Sequence, residues 1–355
     1  MYKDYLEDFV INENESVYKA CWQYQRNKEA LLLVVDSDNK FKGVVGSQEI
    51  KNSFLDDGGG RTLCVKDICN CNGVKIICKE GEDFYAEGRN IFVEKNIHYV
   101  PVIDYEKNII DLFSKKRAFF KQAYWAGDLD RMIYARNIWI MATTAQEMGI
   151  KEFSVIEFGV AGGNGLVAAE FYAREISRLF DLKIEVYGFD NAIGLPVIKE
   201  SCVQKEIPYI FYGGLYDYMN IEKLTKRLRS AKLIIGDIEE TLKDFIEVYN
   251  PAPIGVIFVD VDQYAGTAAI LSFLEADDKN FLPRMNIYFD DIKPELESRG
   301  EHRAILEFNQ RNTNIKILPE DSSTKEKKCL RYQHPLYAKE IKYDTTVCAY
   351  SYYTI

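Results

Sequence analysis

The residues best suited to chemistry in this chain are acids placed at the ends of apolar runs. Ile254-Gly-Val-Ile-Phe-Val-Asp-Val-Asp262 runs into Gln-Tyr-Ala-Gly-Thr267, and Asn286-Ile-Tyr-Phe is followed by Asp290 and Asp291. Both apolar runs have the length and composition of buried strands. Neighbouring parallel strands end on one rim, so Asp262, Asp290 and Asp291 are expected to converge there. Converging carboxylates repel unless a cation lies among them. An oxygen-only donor set suits Mg²⁺, Mn²⁺ or Ca²⁺ over zinc. Asp260 is read as a strand-end acid or a hydrogen-bonding support for this trio.

A second stretch supplies a place for a ligand. Val155-Ile-Glu-Phe-Gly-Val-Ala-Gly-Gly-Asn-Gly-Leu166 is an apolar strand that runs into Gly159, Gly162, Gly163 and Gly165 and then into a helical pattern. Glycines let the backbone turn sharply and approach a ligand closely, and a helix start points free N–H groups at it. A dinucleotide fingerprint can be fitted as Gly163-Asn-Gly165-Leu-Val-Ala168, but it begins several residues beyond the strand, and the half of the chain that carries it offers no Tyr-x-x-x-Lys proton relay. A nicotinamide-dependent sugar oxidoreductase is therefore disfavoured. The next strand, Lys183 to Asp190, ends in an acid able to accept from both hydroxyls of a ribose.

With Glu157 at the strand end and a loose Gly-x-x-Gly-Gly-x-Gly turn, this segment resembles motif I of Rossmann-like S-adenosylmethionine-dependent methyltransferases. Gly-Asp237-Ile238-Glu-Glu-Thr resembles their adenine-lining segment, with Asp237 placed to accept from the exocyclic amine. Asp-x-Tyr-x-x-Thr and the later Asp-Asp pair resemble metal-dependent sugar O-methyltransferases of the macrocin and novobiocin type, over about residues 130 to 320. The resemblance implies S-adenosylmethionine held by Glu157, Gly159, Gly163, Asp190, Asp237 and Ile238. It also implies a divalent cation, Mg²⁺ foremost, on Asp262, Asp290 and Asp291, with Asp262 as general base. A nearer likeness is to uncharacterised bacterial methyltransferases carrying Gly188-Phe-Asp with Gly194-Leu-Pro196, Tyr288-Phe-Asp-Asp291 and Gly300-Glu-His-Arg-Ala-Ile-Leu-Glu-Phe-Asn309. After Asp262 this chain departs from the pattern, with Gln-Tyr-Ala-Gly in place of a further acid and serines. His302 is a reserve base, more simply a surface histidine at a helix start.

The elements that lead up to this half repeat. Ala30-Leu-Leu-Leu-Val-Val-Asp36 and Gly43-Val-Val are echoed by His98-Tyr-Val-Pro-Val-Ile-Asp104 and Asp111-Leu-Phe, and the same offset of 68 separates Asp36 from Asp104 and Gly43 from Asp111. A helical segment precedes each echo, 16–25 and 83–94, and a short extended piece precedes each helix. The order strand, helix, strand, strand, helix resembles a tandem pair of cystathionine-β-synthase (CBS) repeats over residues 1–120. In that family a hydroxyl and a nearby acid hold an adenine nucleotide. Here those positions are Gly46 and Glu49, then Ser114 and Arg117, which favours a structural or dimerising role over nucleotide sensing. Residues 114–148 read as a long packing helix rich in aromatics, with Arg131 or Arg136 able to reach an acidic group, and Gly149 as its C-cap.

The fold class expected is therefore α/β: a Rossmann-like methyltransferase sheet over 121–355 with a smaller N-terminal tandem CBS-like domain. Residues 314–318 and 346–353 are expected as its last two strands, the final one antiparallel, with a charged surface loop over 322–328 between them. The chain of 355 residues is 47% hydrophobic and carries a net charge of −10, which disfavours nucleic acid and anionic membranes as partners. No apolar run approaches about 18 residues, and the acidic start lacks the marks of a signal peptide, so a cytoplasmic protein without a membrane span is expected. The eight cysteines include no Cys-x-x-Cys pair, and free thiols are expected. The function expected is metal-assisted O-methylation of a sugar, sugar nucleotide or surface-glycan precursor by a homo-oligomer joined through the CBS-like pair. The alternative is a non-catalytic adenosyl- or nucleotide-binding regulatory protein.

Overall fold

The computed structural model describes residues 6–27, 31–56, 63–207, 213–215, 217, 219–275, 278–292, 299–312, 316–320, 328–333 and 346–351. The chain divides into two units, one ending at Asp130 and the other beginning at Arg131. The boundary falls beyond residue 120 because the segment after it folds back on the first unit: Phe120 is buried, and Lys116 reaches Asp128 at 2.6 Å.

The first unit is built twice over. A short α1 (Leu6–Phe9) leads into β1 (Val10–Asn12), α2 (Val17–Arg26), β2 (Leu32–Val35), β3 (Phe41–Val45) and α3 (Ser47–Asp56). After α4 (Val65–Ile68) the pattern recurs as β4 (Ile76–Ile77), α5 (Tyr85–Glu94), β5 (Tyr99–Ile103), β6 (Ile109–Ser114) and α6 (Lys115–Ala118), then α7 (Phe120–Trp125). In each three-stranded sheet the first pair is parallel and the second antiparallel. The 68-residue offset persists in fine detail. Register shifts at Val34/Val35 and again at Val102/Ile103. Asp36 Oδ1 accepts from the N–H groups of Asp38 and Lys40, while Asp104 Oδ1 accepts from those of Glu106 and Asn108. Asn39 and Lys107 take left-handed backbone at the same point of each turn. Each repeat owns a core, around Val34 and Val45 in one and Val102 and Phe113 in the other. Phe9, Leu33, Phe41, Val44 and Ile103 form a third core that both share.

The helix expected over 114–148 is broken. α6 stops at Phe119, α7 ends before the left-handed Gly127, and α8 (Met132–Glu147) starts after Arg131, itself left-handed at φ 47°.

In the second unit, α8 is followed by β7 (Glu152–Phe158), α9 (Asn164–Phe180), β8 (Lys183–Asp190), α10 (Ile221–Arg227), β9 (Lys232–Ile235), α11 (Ile238–Tyr249), β10 (Ile254–Val259), α12 (Tyr264–Phe273), β11 (Phe281–Phe289), α13 (Gly300–Arg311), β12 (Lys316–Glu320), β13 (Lys328–Gln333) and β14 (Thr346–Ser351). One sheet runs in the order β9-β8-β7-β10-β11-β14-β13-β12. The last strand does take an inserted position beside β11, but it is parallel to it. The antiparallel member is β13, which pairs on both sides and is not expected from the sequence pattern. Most of the loop expected over 322–328 lies outside the described residues.

Strand alternation assigns the helices to two faces. On β8, Gly188 meets Leu166 of α9, whereas Tyr187 and Phe189 pack on Phe245 of α11. β7 and β10 are buried almost throughout, as helices on both faces require. The chain moves outward from β7 to β8 and β9, then returns to start again at β10. The strand order therefore reverses between β7 and β10, the point at which open α/β sheets leave a crevice beyond their strand ends. No helix among the described residues is long and apolar enough to cross a membrane.

Candidate functional site

The crevice at that reversal is a cleft of about 370 Å³. Its floor is the turn after β7. Gly159 has φ 87°, and a Cβ there would stand 1.7 Å from the Asp260 carbonyl oxygen, so the close approach of the two strand ends requires glycine. Ala161, left-handed at φ 45°, donates its N–H to Asp190 Oδ2 at 2.8 Å. Asp190 Oδ1 accepts from Ala192 N–H at 2.7 Å. Asp190 thus braces the turn while bordering the cleft, and each oxygen retains a further lone pair.

Two expected contacts lie elsewhere. Glu157 is 2% exposed and sits beneath the start of α9, where a Cβ on Gly165 would meet its Oε1 at 1.9 Å. Tyr134 donates to that oxygen at 2.5 Å. Burial pushes the Glu157 carboxyl up to about 8 against the pull of the Tyr134 bond, with Asp260 adding to the push. It supports the turn from behind and does not line the cleft, because its place in β7 directs it to the α8/α9 face. Gly163 ends the turn at φ 81° and faces Leu224 of α10, whose methyl would lie 2.2 Å from a Cβ.

Farther along the rim, Asp237 and Ile238 border the cleft. Asp237 also caps α11, its Oδ1 accepting from Glu239 N–H at 2.7 Å.

The acids beyond β10 and β11 converge, with one exchange of partners. Asp260, Asp262 and Asp291 each offer an oxygen, and these lie within 4.8 Å of one another. Asp290 borders the same cleft, but its Oδ1 accepts from Tyr288 at 2.5 Å. Asp260 is more than a support: it stands two residues before Asp262, a spacing that keeps both carboxyls on one side where the strand ends. Asp262 itself adopts φ 56°, a conformation that costs an L-residue energy and marks functional turns. Desolvation by the cleft walls, then the nearby Asp290 and Asp291, push Asp260 up to about 8, while Arg131 pulls it down. The side chain has surface open to the cleft, so water there relieves part of that push.

Two buried glutamates hold the rim in place. Glu206 accepts from Tyr264 N–H at 2.7 Å and caps α12 from outside the helix. Glu301, 0% exposed, accepts from Asp291 N–H at 2.9 Å. Burial raises both carboxyls, with Asp291 adding to the push on Glu301. Glu301 was legible as part of the Gly300-Glu pair, whereas Glu206 carries no sequence signal. His302 lies on α13 and does not line the cleft.

In the first unit, Gly46 donates its N–H to Glu49 Oε2 at 2.9 Å, closing that position on itself. In the second repeat Ser114 caps α6. Arg117 is buried, pairs with Asp111 at 2.6 Å, donates to Tyr85 Oη, and stacks over Tyr85 and Phe113. At both of these positions the polar groups are engaged by neighbours within the first unit.

No family model matches the chain, and no curated protein matches it. Among solved structures it is similar to OpuCA of Staphylococcus aureus, at 17% identity over 33% of this chain and 93% of that one, with a TM-score of 0.27. It is similar to MJ1225 of Methanocaldococcus jannaschii, at 20% identity over 33% of this chain and 46% of that one, with a TM-score of 0.28. It is also similar to the CBS domain pair of MJ0100 in complex with 5′-methylthioadenosine and S-adenosyl-L-methionine, at 17% identity over 34% and 90%, with a TM-score of 0.27. The class that fold and site define is a two-unit α/β protein: a tandem βαββα pair, then a mostly parallel doubly wound sheet with an acid-lined cleft where its strand order reverses.

Proposed function

We propose that the second unit is an O-methyltransferase that takes a methyl group from S-adenosylmethionine and delivers it to a hydroxyl of a sugar or glycan precursor, with a divalent cation on its acids. The observation that carries this reading is that a single cleft borders both Gly159, Asp190, Asp237 and Ile238 and the trio Asp260, Asp262 and Asp291. The first set fits an adenosyl group: a turn without a side chain at its tightest point, and acids with lone pairs free for hydroxyls and an amine. The second set fits a hard cation through oxygen donors drawn so close that they repel when unneutralised. A divalent ion bound there lowers the pKa of a hydroxyl it touches.

The residues then have separable tasks. Asp262 accepts the proton as the acceptor oxygen bonds to the methyl carbon. The sulfur–carbon bond breaks in the same step, leaving a neutral thioether. The turn at Gly159 sets the donor's position, which in-line transfer requires. Glu206 and Glu301 position the rim and take no proton in the step.

Titration calorimetry with S-adenosylmethionine and with AMP, joined to labelled-methyl transfer, tests this reading. Donor binding that survives chelation, transfer that does not, and no comparable heat from AMP are the expected results. Tight AMP binding with no donor binding would favour an adenosyl-sensing regulator and overturn it.

A further inference from the structure

The charge of the cleft bears on what it accepts. Among the described residues eight carboxylates border it: the strand-end acids already described, together with Glu206 and Glu239. One cationic side chain borders it, Lys199, and both carboxylate oxygens of Glu239 hold its ammonium at 3.2 Å. Lys205, close by, is engaged by Tyr264 and Glu307 and does not reach the lining. Behind the rim, Glu301 is fully buried, and its Oε1 has no hydrogen-bond partner among the described residues. A further carboxyl thus backs the acids, and Arg131, whose charge reaches Asp260, offsets them only in part.

The balance stays negative after each correction is made. Set against Lys199, Arg131, a singly charged sulfonium and a divalent cation, the eight carboxylates still outnumber the positive charges. A phosphate or carboxylate entering such a cleft meets a field of its own sign between low-dielectric walls. Like-charge juxtaposition of this kind is how a site rejects the wrong partner.

We infer that the acceptor is a sugar bearing no anionic group, either uncharged or carrying an ammonium, and that nucleotide- and phosphate-linked sugars are rejected. This rests on the methyltransferase reading and narrows its acceptor class. Lys199 sits where it would meet an anion, but the Glu239 carboxylate beside it offsets its charge.

The test is labelled-methyl transfer with Mg²⁺ to a panel of hexoses and deoxyhexoses, each presented as a methyl glycoside, an amino-substituted glycoside, a 1-phosphate and a nucleoside-diphosphate sugar. Transfer to the first two forms is expected, with kcat/KM at least about tenfold lower for the phosphorylated ones. That gap should shrink as ionic strength rises above about 0.15 M, where screening sets in within about 8 Å. Glu239→Gln, which releases Lys199, should narrow it severalfold at low salt. Equal or better turnover of the phosphorylated forms overturns the acceptor inference and leaves the methyltransferase reading intact. Absence of transfer across the whole panel overturns that reading, and the inference with it.

Discussion

At the scale of single residues, the acids at the rim divide by what else they hold. Asp290 is engaged by Tyr288, whereas Asp260 stands with Asp262 and Asp291. Asp260→Asn is therefore expected to weaken divalent-ion binding by an order of magnitude or more, roughly the cost of one lost charged ligand, and Asp290→Asn by clearly less. Manganese titration followed by electron paramagnetic resonance measures both. An equal loss in the two variants would restore the trio expected from sequence. Glu157 supplies a prediction of another kind. Its folded pKa, about 8, lies above its ordinary 4.5. Its contribution to stability is thus complete below about pH 4.5 and is lost as pH rises through 8. For a fully buried group the effect reaches a few kcal/mol, on the order of 1.4 kcal/mol for each pH unit that separates the folded and unfolded values. Melting temperatures recorded from pH 5 to pH 8.5 should fall in the parent protein, and fall less in Glu157→Gln.

Among the elements, α6 and β6 carry the pair that closes the second repeat. Arg117 and Asp111 are both 6% exposed, and removing one partner of a buried pair leaves the other charge without compensation. Arg117→Met is expected to cost about 3–5 kcal/mol, while adding Asp111→Leu returns most of it. Chemical denaturation of the full chain distinguishes these outcomes, and a double variant no better than the single one would give the pair no special standing. The elements are also where sequence reading did best and worst. β7, β8 and β10 were legible because strands largely covered by helices carry apolar-rich runs. The break between α7 and α8 was not, since the aromatic spacing continues across Gly127 and only the backbone turn reveals it. Glu157 reads as a ligand contact in one dimension, because sequence shows that an acid ends the strand but not which face of the sheet it takes. Asp260 is undervalued in one dimension for the converse reason: its partner Asp262 stands in a left-handed turn that no composition signals.

For the whole molecule, two units with separate cores make a simple expectation about heat. A ligand that binds only the native second unit stabilises that unit by about 2.7 kcal/mol at a hundredfold excess over Kd. Scanning calorimetry with S-adenosylmethionine should therefore raise the transition of residues 131–355 and leave that of the first unit in place. A rise in the first unit's transition alone would move the adenosyl site to the repeats. Those repeats preserve one further clue. Lys40 Nζ donates to Asn108 Oδ1 at 2.8 Å, and these are equivalent positions, 68 residues apart. A contact between equivalents is where a twofold axis relating the halves would run. In a dimer of two identical half-modules the residue on that axis meets its own copy, and lysine there would face lysine. Joined in one polypeptide, the two sides are free to diverge, so a donor can oppose an acceptor where strict symmetry would impose repulsion.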